Sequence, residues 1–430
     1  MLAAAPTAPS SPEAGAHIIE QAAQAFLNAT TPEERASAER WLLDIRKWPQ
    51  PLACCRHVLL HSVIGYAKLQ ALVMIRQSIG TQWSSLSQAE RTELQLMLLQ
   101  LLTDGHAEPY VRAVGAQALA VHAKHDLLHA PRGAALSNSN ATCAVAMETL
   151  LNGTIKMLDE PSGMHAPTAL EILHALLGEF GSPSTGGMGG AVPWSMHARA
   201  RASFEAQYLL KLLQVVLQRL ERFCSAVPPL PSNVSRTLIS CFSFLSSVLS
   251  WEFDGVGEAA ASNDARPGLN ASVVRPPSSE AGWSEVLCGS ELLAAVIQTH
   301  RTMSSGVDTT DSSCQELLHC IQQVLVMLAS VSRRVFADNA AHATYSSALL
   351  HYLAELIATD TVRGSERPAC GEQTFRDGCI ALQRWIVCSG AEAVLALPSG
   401  VLDEMLRCAK LPWQISLSAL RPSMRRPRQS

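Results

Sequence analysis

The sequence predicts an all-α fold, an α-α superhelix made of short antiparallel helix pairs stacked one on the next. Three observations predict it. The chain has 430 residues, which is too long for one compact core. Only 5% of residues are aromatic while 48% are hydrophobic, with Leu and Ala dominant, a balance that suits layered helices better than sheets. Capped, amphipathic segments also recur in pairs along the first third of the chain.

The pairs can be placed in order. Thr31, Pro32 and Glu34 supply an N-cap, a proline for the first helical position and a capping-box carboxylate. A helix is therefore expected over 32–47. Ala38, Trp41, Leu42 and Ile45 form its apolar face, which can dock on a preceding helix over 18–27. Segments 52–62 and 66–79 form a second pair, separated by little more than Gly65. Ser87 and Glu90 make another capping box ahead of 94–102, and 109–125 completes the third pair. Three pairs in roughly 110 residues give a period of about 37, in the range of HEAT and armadillo repeats. Apolar residues lie nearly all round 94–102, which predicts burial on both sides by neighbouring repeats.

Further helices are expected over 143–158, 166–180, 209–223, 236–251, 283–303, 314–331, 343–357 and 375–388. In 209–223, Leu209, Leu212, Leu213, Val216, Leu220 and Phe223 form one stripe opposite Lys211, Gln214, Gln218, Glu221 and Arg222. Polar, Gly- and Pro-rich connections fall at 130–141, 181–193, 254–282 and 359–371. The expected organisation is an irregular N-terminus over 1–15, three HEAT repeats over 16–126, HEAT-like repeats over 142–253 and 283–410, a disordered linker over 254–282, and an irregular basic tail over 411–430. The last ten residues carry four arginines and two prolines, which is unlike the polar capping repeat a solenoid needs. That end reads as a truncation or an altered splice.

Composition excludes several classes of function. Lys and Arg total 33 against 37 for Asp and Glu, so no overall basic field favours nucleic acid. The start has no signal-peptide pattern, and no stretch reaches the roughly 20 apolar residues of a membrane span. A soluble intracellular protein without membrane insertion is expected. The 12 cysteines include no CxxC pair and are expected as reduced, small core hydrophobes. The sequons at Asn28, Asn140, Asn152, Asn233 and Asn270 then occur by chance. No phosphate loop, HExxH, GxSxG or EF-hand pattern is present. Gly186, Gly187, Gly189 and Gly190 lack the preceding strand and following Lys-Ser/Thr of a nucleotide site. His122, His125 and His129 could share a helix face, but no further ligands converge on them, so solvated or helix-end histidines are expected rather than a metal site. Cys55 and His57, two apart on a helix, point to different sides. No catalytic residue, metal site or cofactor is assigned.

A specific likeness starts at the second helix. The string Ala38-Glu39-Arg40-Trp41-Leu42-Leu43-Asp44-Ile45-Arg46-Lys47, followed by Pro51-Leu52-Ala53-Cys54-Cys55-Arg56-His57-Val58-Leu59, resembles the start of the exportin-4 family, a branch of the importin-β or karyopherin superfamily. The likeness continues through Tyr66, Leu69-Gln70-Ala71, Trp83, Tyr110-Val111-Arg112 and 120–124. Shorter collinear echoes follow at 173–180, Val248 to Phe253, Trp283-Ser284-Glu285 and His300-Arg301. It covers about residues 17 to 350, and the exportin-7 branch shares part of the pattern.

The resemblance implies a nuclear export receptor, working as a monomer, that shuttles between nucleus and cytoplasm. Such a receptor binds a cargo protein together with Ran-GTP, touches Phe-Gly nucleoporins in the pore and does no chemistry itself. Ran and cargo favouring one curvature would raise each other's affinity by the same factor. In the family, the second helices of the first repeats meet the GTPase. Carried over to this chain, these are 32–47, 65–80 and 109–125. Their polar residues Lys68, Arg76, Gln77, Arg112 and Lys124, expected to be exposed, are the Ran-binding candidates. The Phe-Gly clefts would lie between outer helices. The competing reading is a generic HEAT scaffold or adaptor without Ran binding.

Overall fold

The computed structural model describes residues 9–49, 51–104, 107–129, 139–160, 163–181, 192–224, 230–253, 274, 276, 281–306, 312–362, 376–386 and 388–389. It is an all-α helical-repeat solenoid. The chain divides into two compact units, Met1–Phe204 and Glu205–Ser430. That boundary falls inside the block the sequence marks as 142–253.

In the first unit, α1 (Pro12–Leu27) begins earlier than expected. Ser11 caps it by accepting from the Ala14 N–H at 3.2 Å, and Pro12 occupies the first turn, so the irregular start does not extend to residue 15. α2 (Pro32–Ile45) carries the expected capping box. Thr31 Oγ1 accepts from Glu34 N–H at 3.2 Å, and Glu34 Oε2 accepts from Thr31 N–H at 3.3 Å. α3 (Leu52–His61) and α4 (Gly65–Gln82) follow. A 3₁₀ turn at Trp83–Ser85 then leads to α5 (Gln88–Thr103), whose Ser87–Glu90 box forms in the same way. α6 (Pro109–Leu128), α7 (Ser139–Asp159), α8 (Ala166–Gly181) and α9 (Trp194–Phe204) complete the unit.

The helices of the stack are unevenly spaced, with α1 and α3 in close contact but α2 and α4 not. The second helices α4, α6 and α8 lie directly side by side. Small residues permit this: Ala67 and Ala71 on α4 and Ala116, Ala118 and Ala120 on α6 are all buried, so the backbones approach closely. Among the first helices, α3 and α5 make no comparable backbone approach. They are joined by Arg56, whose Nη1 lies 2.9 Å from Glu93 Oε2 and whose Nη2 donates to Glu90 O at 3.1 Å. This corrects the expectation for 94–102. Leu94, Leu98, Leu101 and Leu102 are buried, but Leu96 is 56% exposed. The helix enclosed by neighbours is α6, which packs on α4, α5, α7 and α8.

The second unit opens with a π-helical turn, Glu205–Leu209, that runs into α10 (Leu210–Cys224). Glu205 Oε1 accepts from the buried Trp251 indole N–H at 2.6 Å, at the end of α11 (Ser232–Leu249). The expected helix over 283–303 is two helices, α12 (Ala281–Cys288) and α13 (Ser290–Gly306). The break falls at Gly289, where a Cβ would sit 2.5 Å from Glu285 O, so the bend requires glycine. α14 (Ser312–Leu328), a 3₁₀ turn at Arg333–Val335, α15 (Asn339–Val362) and a helical stretch at 376–386 follow. α11 packs on α14, α14 on α13, and α13 on α15.

Two residues of the expected linker 254–282 are described before α12, and both are buried: Val274 and Pro276. Val274 pairs with Val331 in an isolated parallel β-bridge, so the segment is fastened there rather than free. The rest of that linker before α12, the glycines at 186–190 and the tail at 411–430 lie outside the described residues.

Candidate partner-binding face

The five residues singled out from the sequence stand on α4 and α6, but the structure treats them unequally. Lys68 and Gln77 are half-buried on α4. Arg76, also on α4, donates from Nη1 to Gln117 Oε1 on α6 at 2.8 Å. Arg112 on α6 donates to Ala107 O at 2.9 Å, and its Nε lies 3.7 Å from Glu171 Oε2 on α8. Burial raises the Glu171 carboxyl above its ordinary range against the opposing pull of Arg112. Lys124 is not an exposed cation. Its side chain is 1% exposed, and Nζ donates to Glu179 Oε1 at 2.8 Å and to Glu179 O at 3.0 Å on α8.

Together with Arg46 Nη2 donating to Gln70 Oε1 at 2.7 Å, these contacts form a lateral ladder. From the end of α2 to α4, from α4 to α6 and from α6 to α8, a cationic side chain reaches an amide or carboxylate one repeat further on. Three of the five candidates therefore tie repeats together. Their acceptors Gln117, Glu171 and Glu179 were missed from sequence. The available signal was complementary polarity at matching positions of successive second helices, which α6 and α8 show twice.

The histidines of α6 form a second feature. His125 and His129 lie at the helix end as expected, but His122 and His125 are buried rather than solvated. All three surround the buried Trp83 ring, at centroid distances of 4.9, 5.5 and 6.3 Å. The Arg91 guanidinium lies 4.7 Å from the same ring and donates to Trp83 O at 2.9 Å. His122 Nε2 is 2.9 Å from Arg91 O, so the imidazole donates there, while its Nδ1 is 3.9 Å from Asp126 Oδ2. Burial lowers both His122 and His125 to about 4 and raises Asp126 to about 6. Asp126 Oδ1, His125 Nδ1 and Trp83 Nε1 are buried without a hydrogen-bond partner.

The described residues contain no group of three His, Cys, Asp or Glu side chains placed to hold a metal, and no described helix is long and apolar enough to cross a membrane. Cys54, Cys55 and Cys241 pack as buried small hydrophobes, and burial pushes the Cys55 thiol far up. The geometry offers surfaces and inter-helix ties, as expected of a repeat protein that binds other macromolecules along its length.

Comparison with known proteins agrees with that class. The sequence model of the Exportin-4 family matches residues 15–366. The chain belongs to the exportin-4 family, whose members are karyopherin-type transport receptors. It is 21% identical to Exportin-4 of Dictyostelium discoideum over 236 residues, which is 53% of this chain and 20% of that protein. The chain thus spans about a fifth of the length of that curated relative.

Proposed function

We propose that this chain is the Ran-binding part of a nuclear export receptor, taking Ran-GTP and a cargo protein together and shuttling between nucleus and cytoplasm. The observation that carries this reading is the family match across 15–366. The contiguous row of second helices α4, α6 and α8 supports it, because these helices pack side by side across successive repeats. With Lys124 enclosed, the candidates that remain are Lys68, Arg76 and Gln77 on α4 and Arg112 on α6. A generic scaffold would share the fold but not the nucleotide dependence.

Calorimetric titration with Ran carrying a non-hydrolysable GTP analogue, and in parallel with Ran-GDP, tests this reading. Binding to the GTP form alone is expected, and Lys68→Glu should weaken it by about ten-fold, the scale of a charge reversed at an interface. Equal binding to both forms, or none, overturns the proposal.

Passage through the pore requires apolar contacts for Phe-Gly segments, and the exposed apolar side chains beside the α3–α5 joint are the candidates. Leu60 on α3 is 58% exposed, Val63 95% and Leu96 on α5 56%. Leu60 and Leu96 each lie about one turn beyond the Arg56–Glu93 bridge. The double variant Leu60→Ser, Leu96→Ser should lose binding to a Phe-Gly peptide while changing stability by no more than about 0.5 kcal/mol per site. Unchanged binding places the Phe-Gly contacts elsewhere.

A further inference from the structure

In the first unit, the turns between α1 and α2, α3 and α4, α5 and α6, and α7 and α8 join the first helix of a pair to the second. Each of these junctions leaves a large apolar side chain in water. Leu27 ends α1 and is 55% exposed, Val63 lies between α3 and α4, and Tyr110 opens α6 at 46%. Met164 is 70% exposed, just after Gly163 turns the chain at φ 65°. The junctions follow one another along a single edge. Phe26, beside Leu27, stacks on Tyr66 at 4.8 Å, a Cβ on Gly65 would meet Tyr110 OH at 2.5 Å, and Arg112 near the start of α6 reaches Glu171 on α8 at 3.7 Å. The opposite edge closes on itself: Trp48 and Trp83, in the turns from α2 to α3 and from α4 to α5, are buried.

The apolar edge is also acidic. The stretches 27–34, 60–66, 103–111 and 158–167 hold Glu33, Glu34, Asp104, Glu108, Asp159 and Glu160 and no lysine or arginine. Arg35 and Arg112, just beyond them, are engaged within the chain: Arg35 lies 5.9 Å from the Phe26 ring, and Arg112 donates to Ala107 O. Lys68 and Lys156 stand about a turn inside their helices.

Single apolar side chains one repeat apart are separated by about 8–10 Å, the distance between packed helices. A chain in the polyproline conformation, with three residues per turn, returns the same face every ~9 Å and matches that spacing. A β-strand returns its face every ~7 Å, and an amphipathic helix docks through adjacent positions in a groove, not on a single line. Carboxylates beside the apolar positions select positive charge. We propose that this edge is a docking surface for a polyproline-type segment of a partner protein, with an apolar residue at every third position and basic residues between. The inference rests neither on Ran binding nor on the Phe-Gly contacts.

The test is fluorescence-anisotropy titration of a labelled peptide, four repeats of Leu-Pro-Arg, into the full chain, beside a control peptide of the same composition with its leucines contiguous. The periodic peptide should bind at least about ten-fold more tightly than the control, and the double variant Val63→Ser, Met164→Ser should bring it down to the control. Both side chains stand in water on turns, so the variant is expected to fold, which circular dichroism checks. Should it not fold, Glu33→Lys decides: this exposed first-turn position of α2 should weaken the periodic peptide about three-fold, and unchanged binding overturns the proposal. The variant Leu60→Ser, Leu96→Ser should leave the periodic peptide within about two-fold of the unaltered chain, so this reading and the Phe-Gly reading fail separately. Equal binding of the two peptides would mean charge attraction alone and overturns the proposal. So does full binding by a folded Val63→Ser, Met164→Ser variant, or a loss confined to Leu60→Ser, Leu96→Ser.

Discussion

Glu179→Leu is expected to destabilise the first unit by about 3 kcal/mol, the cost of leaving a buried ammonium without its carboxylate. Lys124 is enclosed, and its described acceptors are the carboxylate and backbone carbonyl of Glu179. The Glu179 side chain is 23% exposed, which places the effect toward the lower end of the range for buried pairs. The double variant Lys124→Met, Glu179→Leu should recover most of that loss, because an apolar pair of similar volume needs no counter-charge. Chemical denaturation of both single variants and the double variant measures the coupling. If Glu179→Leu unfolds within about 0.5 kcal/mol of the unaltered chain, water reaches Lys124 and the tie is not sealed.

The second large effect lies around Trp83 and depends on pH. Unfolded histidines titrate near 6.5, whereas burial holds His122 and His125 to about 4. Between these values the unfolded chain takes up protons that the folded chain refuses, so stability falls as the pH drops through that window. Asp126 acts oppositely. Its folded carboxyl keeps a proton up to about 6 against 3.8 when unfolded, so ionising it at neutral pH costs stability. Two histidines against one carboxyl leave a net loss of about 1.4 kcal/mol per pH unit from this cluster as pH falls from 6 to 4. Asp126→Asn should therefore raise stability at pH 7 by about 2 kcal/mol and make the acid loss steeper. Thermal unfolding of both proteins at pH 7, 6 and 5 reads this. A variant no more stable at pH 7 would mean that Asp126 is compensated as a carboxylate.

The parts of the fold legible in the sequence were those set by neighbouring residues. The boxes at Thr31 and Ser87 formed as expected because each needs only four consecutive positions. α9 was not anticipated because its buried face is His197, Ala200, Arg201 and Phe204, half of it polar, so an apolar stripe never shows. Arg201 donates to Gly181 O at 2.8 Å, a carbonyl at the far side of a loop that no local pattern identifies. The helix over 283–303 looked continuous because a single glycine in a helical pattern is usually tolerated, whereas Gly289 sits against the Glu285 carbonyl.

The candidate site was less legible for the same reason. Lys68 and Lys124 look alike in sequence, each a lysine on the second helix of a pair. The difference is Glu179 on α8, and nothing within a turn of Lys124 announces it. Likewise, enclosure of α6 rather than α5 follows from how many neighbours each helix meets, a property of the stack and not of either helix.

That difference in spacing has a mechanical consequence. The row α4, α6, α8 is in backbone contact and cross-tied at each step, so its length is nearly fixed, like the spine of a fan. α3 and α5 make no comparable approach and are tied through Arg56. Flexing at the α3–α5 joint therefore works against the Arg56 tie about the firmer α4–α6–α8 contacts, and any molecule wedged beside Leu60 and Leu96 presses on that joint.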